Sequence, residues 1–332
     1  MKIAITGGAG FIGTQLAALL KAQGHEPVLI DIKPSECFPE HSIIANVTDA
    51  EALKAAFAGV DAIYHLAAEH RDDVSPIQKY YDVNVGGGEN VIAAAKAHDI
   101  RTIIFTSSVA VYPLEPANRQ TGSIETDTPS PFNDYGHSKL QSEKTFEDWA
   151  AQNSSRTLVT VRLVATFGPG NRGNIYTLIN QVASGKFMMI GRGDNRKSIA
   201  YIGNVAAFLS HCLTLGKTRG AGAYLYNYAD KPDLRADEMV KAIRGALGLT
   251  GTGPRIPYMI GLAGGCAFDL AAKLTGKTFP ISTIRVRKFC ANTIVSADKM
   301  KETGFEAPYS LQTGLAEMIK SEFAARRRKK AA

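Results

Sequence analysis

Tyr135 and Lys139 stand four positions apart in Tyr135-Gly136-His137-Ser138-Lys139, a spacing that puts both side chains on one face of a helix. A phenol with an ordinary pKa near 10 is a poor base at neutral pH. A neighbouring ammonium and a bound nicotinamide cation both favour the phenolate, and so make it a usable general base. Upstream, Ser107-Ser108 close the apolar run 102–106. A hydroxyl there could hold a substrate oxygen against the base, so Ser108, Tyr135 and Lys139 form the candidate catalytic set. A second constellation lies at the start of the chain, where Gly7, Gly10 and Gly13 follow a strand-like run and open a helix-like one. In that context glycines make a tight turn and let the backbone N–H groups of Phe11, Ile12 and Gly13 meet a pyrophosphate. Asp31, followed by Ile32, ends the next strand-like run. A carboxylate there accepts from both adenosine ribose hydroxyls and repels a 2′-phosphate, which favours NAD over NADP; Lys33 pulls the other way.

These groups need elements to carry them. Apolar strand-like runs at 2–6, 27–31, 62–66, 102–106 and 157–163 alternate with helical patterns at 11–23, 50–57, 83–97 and 135–151. Such alternation predicts an α/β fold, a doubly wound parallel sheet of Rossmann type with helices on both faces. Ligands of that fold sit at the carboxyl ends of the strands. After Gly168-Pro169-Gly170 helical runs dominate, at 176–183, 205–215, 236–246 and 311–323. The expected organisation is a dinucleotide-binding domain over 1–168, with segments near 199–228 returning to its sheet. A smaller, mostly helical substrate domain then covers 169–325, and a basic tail 326–332.

The chain has 332 residues, 45% apolar and 21% charged, which excludes wholesale disorder. Cys37, Cys212, Cys266 and Cys290 form no C-x-x-C pair, so neither a disulfide scaffold nor a cysteine-rich zinc site is expected. His65 and His70 are badly spaced for a shared metal, and no metal is expected. The run Arg326–Lys330 supplies five of the +7 net charges. A body of nearly balanced charge argues against nucleic acid as partner.

On these motifs the chain resembles the extended short-chain dehydrogenase/reductase family. The matching stretches are TGGAGFIG (6–13), HLAA (65–68), DVNVGGGEN (82–90), SSVAVY (107–112), YGHSK (135–139) and FGPG (167–170). The resemblance implies NAD as cofactor and Ser108, Tyr135 and Lys139 as catalytic triad. The implied cofactor lining is Leu66, Ala67, Ala68, Asn84, Thr106 and Leu163, with Asn46 and Val47 around the adenine; Asn46 departs from the family's usual acid there. Val109 and Ala110 replace the Asp-Glu pair of the dehydratases, so dehydration is not expected. Arg162-Leu163-Val164-Ala165 departs from the Arg-x-x-Asn of UDP-sugar epimerases, which removes an expected contact to a nucleotide. Asn174, Lys197, Arg285 and Arg287 fall where the family's sugar epimerases bind a substrate diphosphate, and Arg172 and Arg196 are expected to add contacts to it.

Longer stretches, among them LAAEHRDDVSP (66–76), NRGNIY (171–176) and RVRKFCANT (285–293), are similar to the branch that epimerises C4 of N-acetylglucosamine on undecaprenyl diphosphate for O-antigen assembly. The implied reaction runs through a 4-keto sugar and is an isomerisation. The readings kept beside it are a soluble UDP-GlcNAc or UDP-glucose 4-epimerase and an NAD-dependent dehydrogenase of a lipophilic alcohol. A non-catalytic NAD-binding protein would have no need of the triad. A polyprenyl tail leaves a bilayer at about 0.8 kcal/mol per CH₂, so the expected location is cytoplasmic, peripheral at the inner face of the membrane. The apolar stretch 258–268, the cluster Arg285, Arg287, Lys288 and the basic tail are candidate docking elements. The stretch reads equally as a core helix or a dimer interface. The resemblance also implies a homodimer, through the helices around 83–97 and 135–151.

Overall fold

The computed structural model describes residues 1–71, 74–116, 120–276, 279 and 282–330, with side chains as far as 323. Its elements run, in order, β1 (Lys2–Thr6), α1 (Phe11–Ala22), β2 (Glu26–Asp31), β3 (Ser42–Ile44), α2 (Ala50–Ala56), β4 (Ala62–His65), α3 (Gln78–Tyr81), a π-helical turn (Asp82–Gly86), α4 (Gly87–Ala97), β5 (Thr102–Ser108), α5 (Asp134–Ala151), β6 (Thr157–Leu163), β7 (Ala165–Phe167), α6 (Asn174–Ser184), β8 (Met189–Ile190), β9 (Arg196–Tyr201), α7 (Ile202–Arg219), β10 (Gly222–Tyr228), β11 (Asp230–Arg235), α8 (Ala236–Ala246), β12 (Arg255–Ile256), α9 (Tyr258–Thr275), α10 (Thr283–Cys290), α11 (Asp298–Lys301) and α12 (Leu311–Lys330).

Seven parallel strands form one sheet in the order β10-β6-β5-β4-β1-β2-β3. Their apolar runs are continuous because both faces are covered. Ile3, Ile5, Ile104 and Val159 pack under Leu16 and Leu20 of α1 and Phe208 and Leu209 of α7. Ala4, Ile63, Ile103 and Phe105 meet Leu53, Val91, Phe146 and Trp149 from α2, α4 and α5 on the other face. The alternation of strand side chains between the two faces assigns each residue its core. This is the doubly wound architecture expected. A third core, around Phe167, Ile179, Met189, Val240, Leu315 and Phe323, joins the three-stranded sheet β11-β9-β7 to α6, α8 and α12. β12 and β8 pair beside it, and α9 and α10 form a hairpin.

Three expectations change in detail. Of the segments near 199–228, β10 does return to the large sheet, as its edge strand, but Ile199–Tyr201 belong to β9 in the three-stranded sheet. The helix expected over 83–97 opens with the π-helical turn. Five strands, β3, β7, β8, β11 and β12, lack a signal in the sequence, being too short or too polar for a period-two pattern to show. The basic run Arg326–Lys330 continues the backbone helix of α12; residues 331 and 332 lie outside the described residues.

Candidate active site

Thr6, Asp31, His65, Ser108 and Leu163 end β1, β2, β4, β5 and β6, so one rim of the sheet gathers the residues singled out above. At β1 the chain enters the glycine loop. Gly7 has φ +71°, and a Cβ on it would lie 2.8 Å from Ala67 N. A Cβ on Gly13 would lie 2.5 Å from Gly7 O. The loop is therefore packed so closely on Leu66-Ala67 and on the start of α1 that backbone alone faces the rim. Asp31 Oδ2 accepts from Ala9 N at 3.1 Å and Oδ1 from Ile32 N at 2.8 Å, which ties the acid to the loop. This cradle, with the unpaired first-turn N–H groups of α1 and a carboxylate at the end of β2, fits a dinucleotide.

Around it, Asn46 Oδ1 closes its own turn onto Thr48 N at 3.1 Å, and the Val47 carbonyl accepts from Asn90 Nδ2 at 2.9 Å. Thr106 Oγ1 donates to the His65 carbonyl at 3.2 Å. Asn84 was expected beside the cofactor, but its buried amide is spent inside the protein. It accepts from Glu69 N at 2.8 Å and donates to Glu69 O at 3.0 Å and to Ser138 Oγ at 2.9 Å. The π-helical turn carries Asn84, and with it pins the loop after β4 to α5.

α5 starts beside the end of β5. Asn133 Oδ1 caps it by accepting from Gly136 N at 2.9 Å, and a Cβ on Gly136 would collide with the Ala110 carbonyl oxygen. Only glycine allows that approach, which brings Tyr135 to Ser108. The Ser108 hydroxyl lies close enough to the phenol to act on its acidity, and the Tyr135 ring lies 6.3 Å from that of Tyr80. The expected effect of Lys139 on the phenol is corrected here. Burial raises the Tyr135 pKa above its ordinary 10, with the Ser108 hydroxyl pulling it back. Lys139 is itself buried, its Nζ 4.4 Å from the centre of the Phe105 ring. Burial brings its pKa down to about 7, against the pull of Glu143 one turn on. Lys139 is not among the groups that act on the phenol of the cofactor-free chain.

The folded chain thus binds the Lys139 proton less tightly than the unfolded chain, where the amine regains its ordinary 10.5. Below about pH 7 both states carry the proton and the burial cost is in full force. Between about 7 and 10.5 only the unfolded state carries it, so stability rises with pH across that window. Urea midpoints of the cofactor-free protein should climb from pH 7 to 10, and Lys139→Met should flatten that climb below pH 8, leaving the later contribution of Lys197, whose burial lowers its pKa to about 8. The same slope in the variant would rule Lys139 out as its source.

Beneath the set lies a network that the sequence did not reveal. Glu143 of α5 and Arg162 of β6, both under 5% exposed, form a two-point ion pair at 2.9 and 2.6 Å. Arg162 Nη1 donates to Tyr112 Oη at 2.7 Å, and that hydroxyl lies 2.9 Å from Asn227 Oδ1 on β10. Behind Phe105, His65 stacks at 5.7 Å, with Nδ1 2.7 Å from Thr6 Oγ1. Burial and the Lys139 charge lower its pKa to about 3, so it stays neutral.

Arg172, Lys197 and Arg285, expected to meet a diphosphate, are engaged within the fold. Arg172 pairs with Glu322 of α12 at 2.7 Å and lies over the Tyr176 ring. Lys197 Nζ donates to the Lys288 and Ala291 carbonyls, both at 2.7 Å, and so caps the end of α10. Arg285 Nη1 donates to Phe279 O at 3.1 Å, Asn174 is exposed at the start of α6, and the Arg196 backbone pairs with Asn292 and Thr293. An open cavity of about 840 Å³ instead carries Arg192, Arg255 and Arg287, with Glu115 and Leu114 from the segment that follows Ser108 and Tyr258 from α9. Arginine forks suit phosphate oxygens. Of the three, Arg287 is legible from the family resemblance as a diphosphate position; the other two come from a turn and a two-residue strand without a motif.

Known proteins resemble this chain in sequence and in fold. The sequence pattern described as the NAD dependent epimerase/dehydratase family matches residues 3–226. The N-acetyl-alpha-D-glucosaminyl-diphospho-ditrans,octacis-undecaprenol 4-epimerase of Escherichia coli O157:H7 is 43% identical over 97% of this chain and 95% of its own. Among solved structures, UDP-N-acetylglucosamine 4-epimerase from Bacillus cereus superposes with a TM-score of 0.74 at 19% identity, over 96% of this chain and 95% of its own. The Thermus thermophilus UDP-glucose 4-epimerase in complex with NAD gives 0.74 at 20% identity, over 97% and 98%. At that identity these structures speak for the shared fold.

Proposed function

The chain belongs to the NAD dependent epimerase/dehydratase family, and from that premise we propose that it interconverts N-acetylglucosamine and N-acetylgalactosamine on undecaprenyl diphosphate by inversion at C4. The observation that carries the chemistry is the packing of Gly136 on Ala110, which sets Tyr135 beside Ser108 at the strand ends next to the glycine cradle. The lipid-linked substrate is supported by the 43% identity to an enzyme named for it. When bound, NAD supplies a positive charge beside the phenol, a hydride acceptor for C4 and, once reduced, the donor that restores it. Tyr135 takes the proton from the sugar 4-hydroxyl and gives it back after the 4-keto sugar has turned in the cleft. Ser108 holds that oxygen in line. Lys139 is assigned to the nicotinamide ribose, and Gly7, Gly10, Phe11, Ile12, Gly13 and Asp31 to the pyrophosphate and adenosine. Arg192, Arg255 and Arg287 are the better placed ligands for the sugar diphosphate.

The proposal places the enzyme in O-antigen assembly, working as a homodimer through α4 and α5 at the cytoplasmic face of the membrane; family resemblance and the substrate's tail support this. The rival substrate is UDP-GlcNAc, in keeping with the Bacillus cereus neighbour's name. Purified protein should convert detergent-dispersed undecaprenyl-diphospho-GlcNAc to the GalNAc epimer, identified after acid release, with no net NADH. Turnover confined to UDP-GlcNAc would transfer the assignment to the soluble reaction. Stoichiometric NADH would identify a dehydrogenase.

A further inference from the structure

Helix α9 is built inside out. The row that faces the protein is small: a Cβ on Gly261 would lie 2.7 Å from Ile190 Cγ2, and one on Gly265 2.9 Å from Thr283 N. Asp269, next on that row, accepts from Thr283 N at 3.0 Å. The large apolar side chains point away, with Met259 69%, Ile260 60%, Leu270 59% and Leu274 78% exposed. At about 100° per residue, Met259, Ala263, Cys266, Ala267, Leu270 and Leu274 fall on one stripe along the helix. A helix of a water-soluble surface turns its apolar stripe to the core; this one turns it out.

Beside the stripe the bases of α9 and α10 outnumber their one acid, while Glu115 and Asp194 line the cavity at the helix start. Lys273 sits at its edge, Arg255 just before the helix, and Arg285, Arg287 and Lys288 on α10; Asp269, committed to the hairpin, is the one acid in the two helices. No described helix is long and apolar enough to cross a membrane. Tyr258, the first residue of α9, lines the arginine-bearing cavity.

We propose that the outward face of α9 lies in the interface of an anionic bilayer, with the flanking bases among the lipid phosphates. The cavity then opens at headgroup level, and a prenyl chain attached to a diphosphate in it passes along α9 into the lipid. This last clause rests on the lipid-linked reading of the reaction; the docking face itself does not. A second copy is the rival occupant. Two such faces in contact would bring their basic flanks together with one engaged carboxylate each, so lipid phosphate is the better match.

The test is co-sedimentation of the full chain with vesicles of phosphatidylethanolamine and phosphatidylglycerol, beside vesicles of phosphatidylcholine alone. The wild type should partition onto the anionic vesicles. Combined Met259→Ser, Ile260→Ser, Leu270→Ser and Leu274→Ser should lower that partition at least about tenfold while NAD retention is unchanged. Should the fourfold variant fail to hold NAD, Leu270→Ser/Leu274→Ser carries the same test. Wild-type protein that stays in the supernatant, or variants that sediment as the wild type does, would overturn the proposal. So would a drop from dimer to monomer in the variant with vesicle binding unaltered. An enzyme active on detergent-dispersed lipid-linked sugar yet indifferent to vesicles would overturn the docking face and leave the reaction standing.

Discussion

Tyr135→Phe should cut turnover by about 10²–10⁴-fold, the usual worth of a positioned general acid–base group, and leave NAD in place. The substitution removes one oxygen. The ring keeps its place against Tyr80, and the glycine cradle is built from backbone on other elements. What is lost is the hydroxyl that Ser108 meets. Because proton removal and proton return use the same atom, both directions of the epimerisation should slow together. The measurement is kcat on the lipid-linked sugar in each direction, with bound NAD determined after denaturation. Near-normal kcat would remove Tyr135 from the proton path. A protein that had lost NAD would show instead that the phenol hydroxyl is needed to hold the cofactor.

That prediction rests on residues legible in the sequence, and the reason is local. The glycine loop and Asp31 sit at strand ends whose apolar runs are continuous, and the Tyr135–Lys139 spacing lies within a helix capped by Asn133. What was not legible depends on partners far apart in the chain. Arg162 meets Glu143 across 19 residues and Tyr112 across 50. The cavity arginines come from the β8–β9 turn, from β12 and from α10. Lys197 and Arg172 have the composition of phosphate ligands, yet each found a partner within the fold, a helix end and a carboxylate. The apolar stretch of α9 was visible as such, but not its direction, because only the packing of Gly261 and Gly265 shows which face is inward. The family match likewise could not foretell that burial, rather than a neighbouring ammonium, dominates the free Tyr135 phenol.

Glu143→Gln should be the most destabilising single substitution near the site, at a cost of about 3–5 kcal/mol, the usual penalty for leaving a buried charge without its partner. The carboxylate meets Arg162 at two points, and both side chains are out of solvent. An amide offers one acceptor and turns an N–H₂ towards a guanidinium, so one of two charge-assisted bonds becomes a donor facing a donor. Against a typical domain stability of about 5–15 kcal/mol, that should move the urea midpoint far. The charge pair itself need not stabilise the fold, since two apolar side chains of similar size often do as well. The double variant Glu143→Leu/Arg162→Met should therefore regain most of the loss. Its activity should not recover in parallel. The pair joins α5 to β6 one turn beyond Lys139, and through Tyr112 to β10, so it fixes the height at which Tyr135 meets Ser108. A looser α5 should lower kcat more than it raises KM, because the diphosphate ligands assigned here lie on other elements. A Glu143→Gln cost under about 1 kcal/mol, in the range of exposed pairs, would show that water reaches the pair and that it does not set the geometry of the catalytic helix.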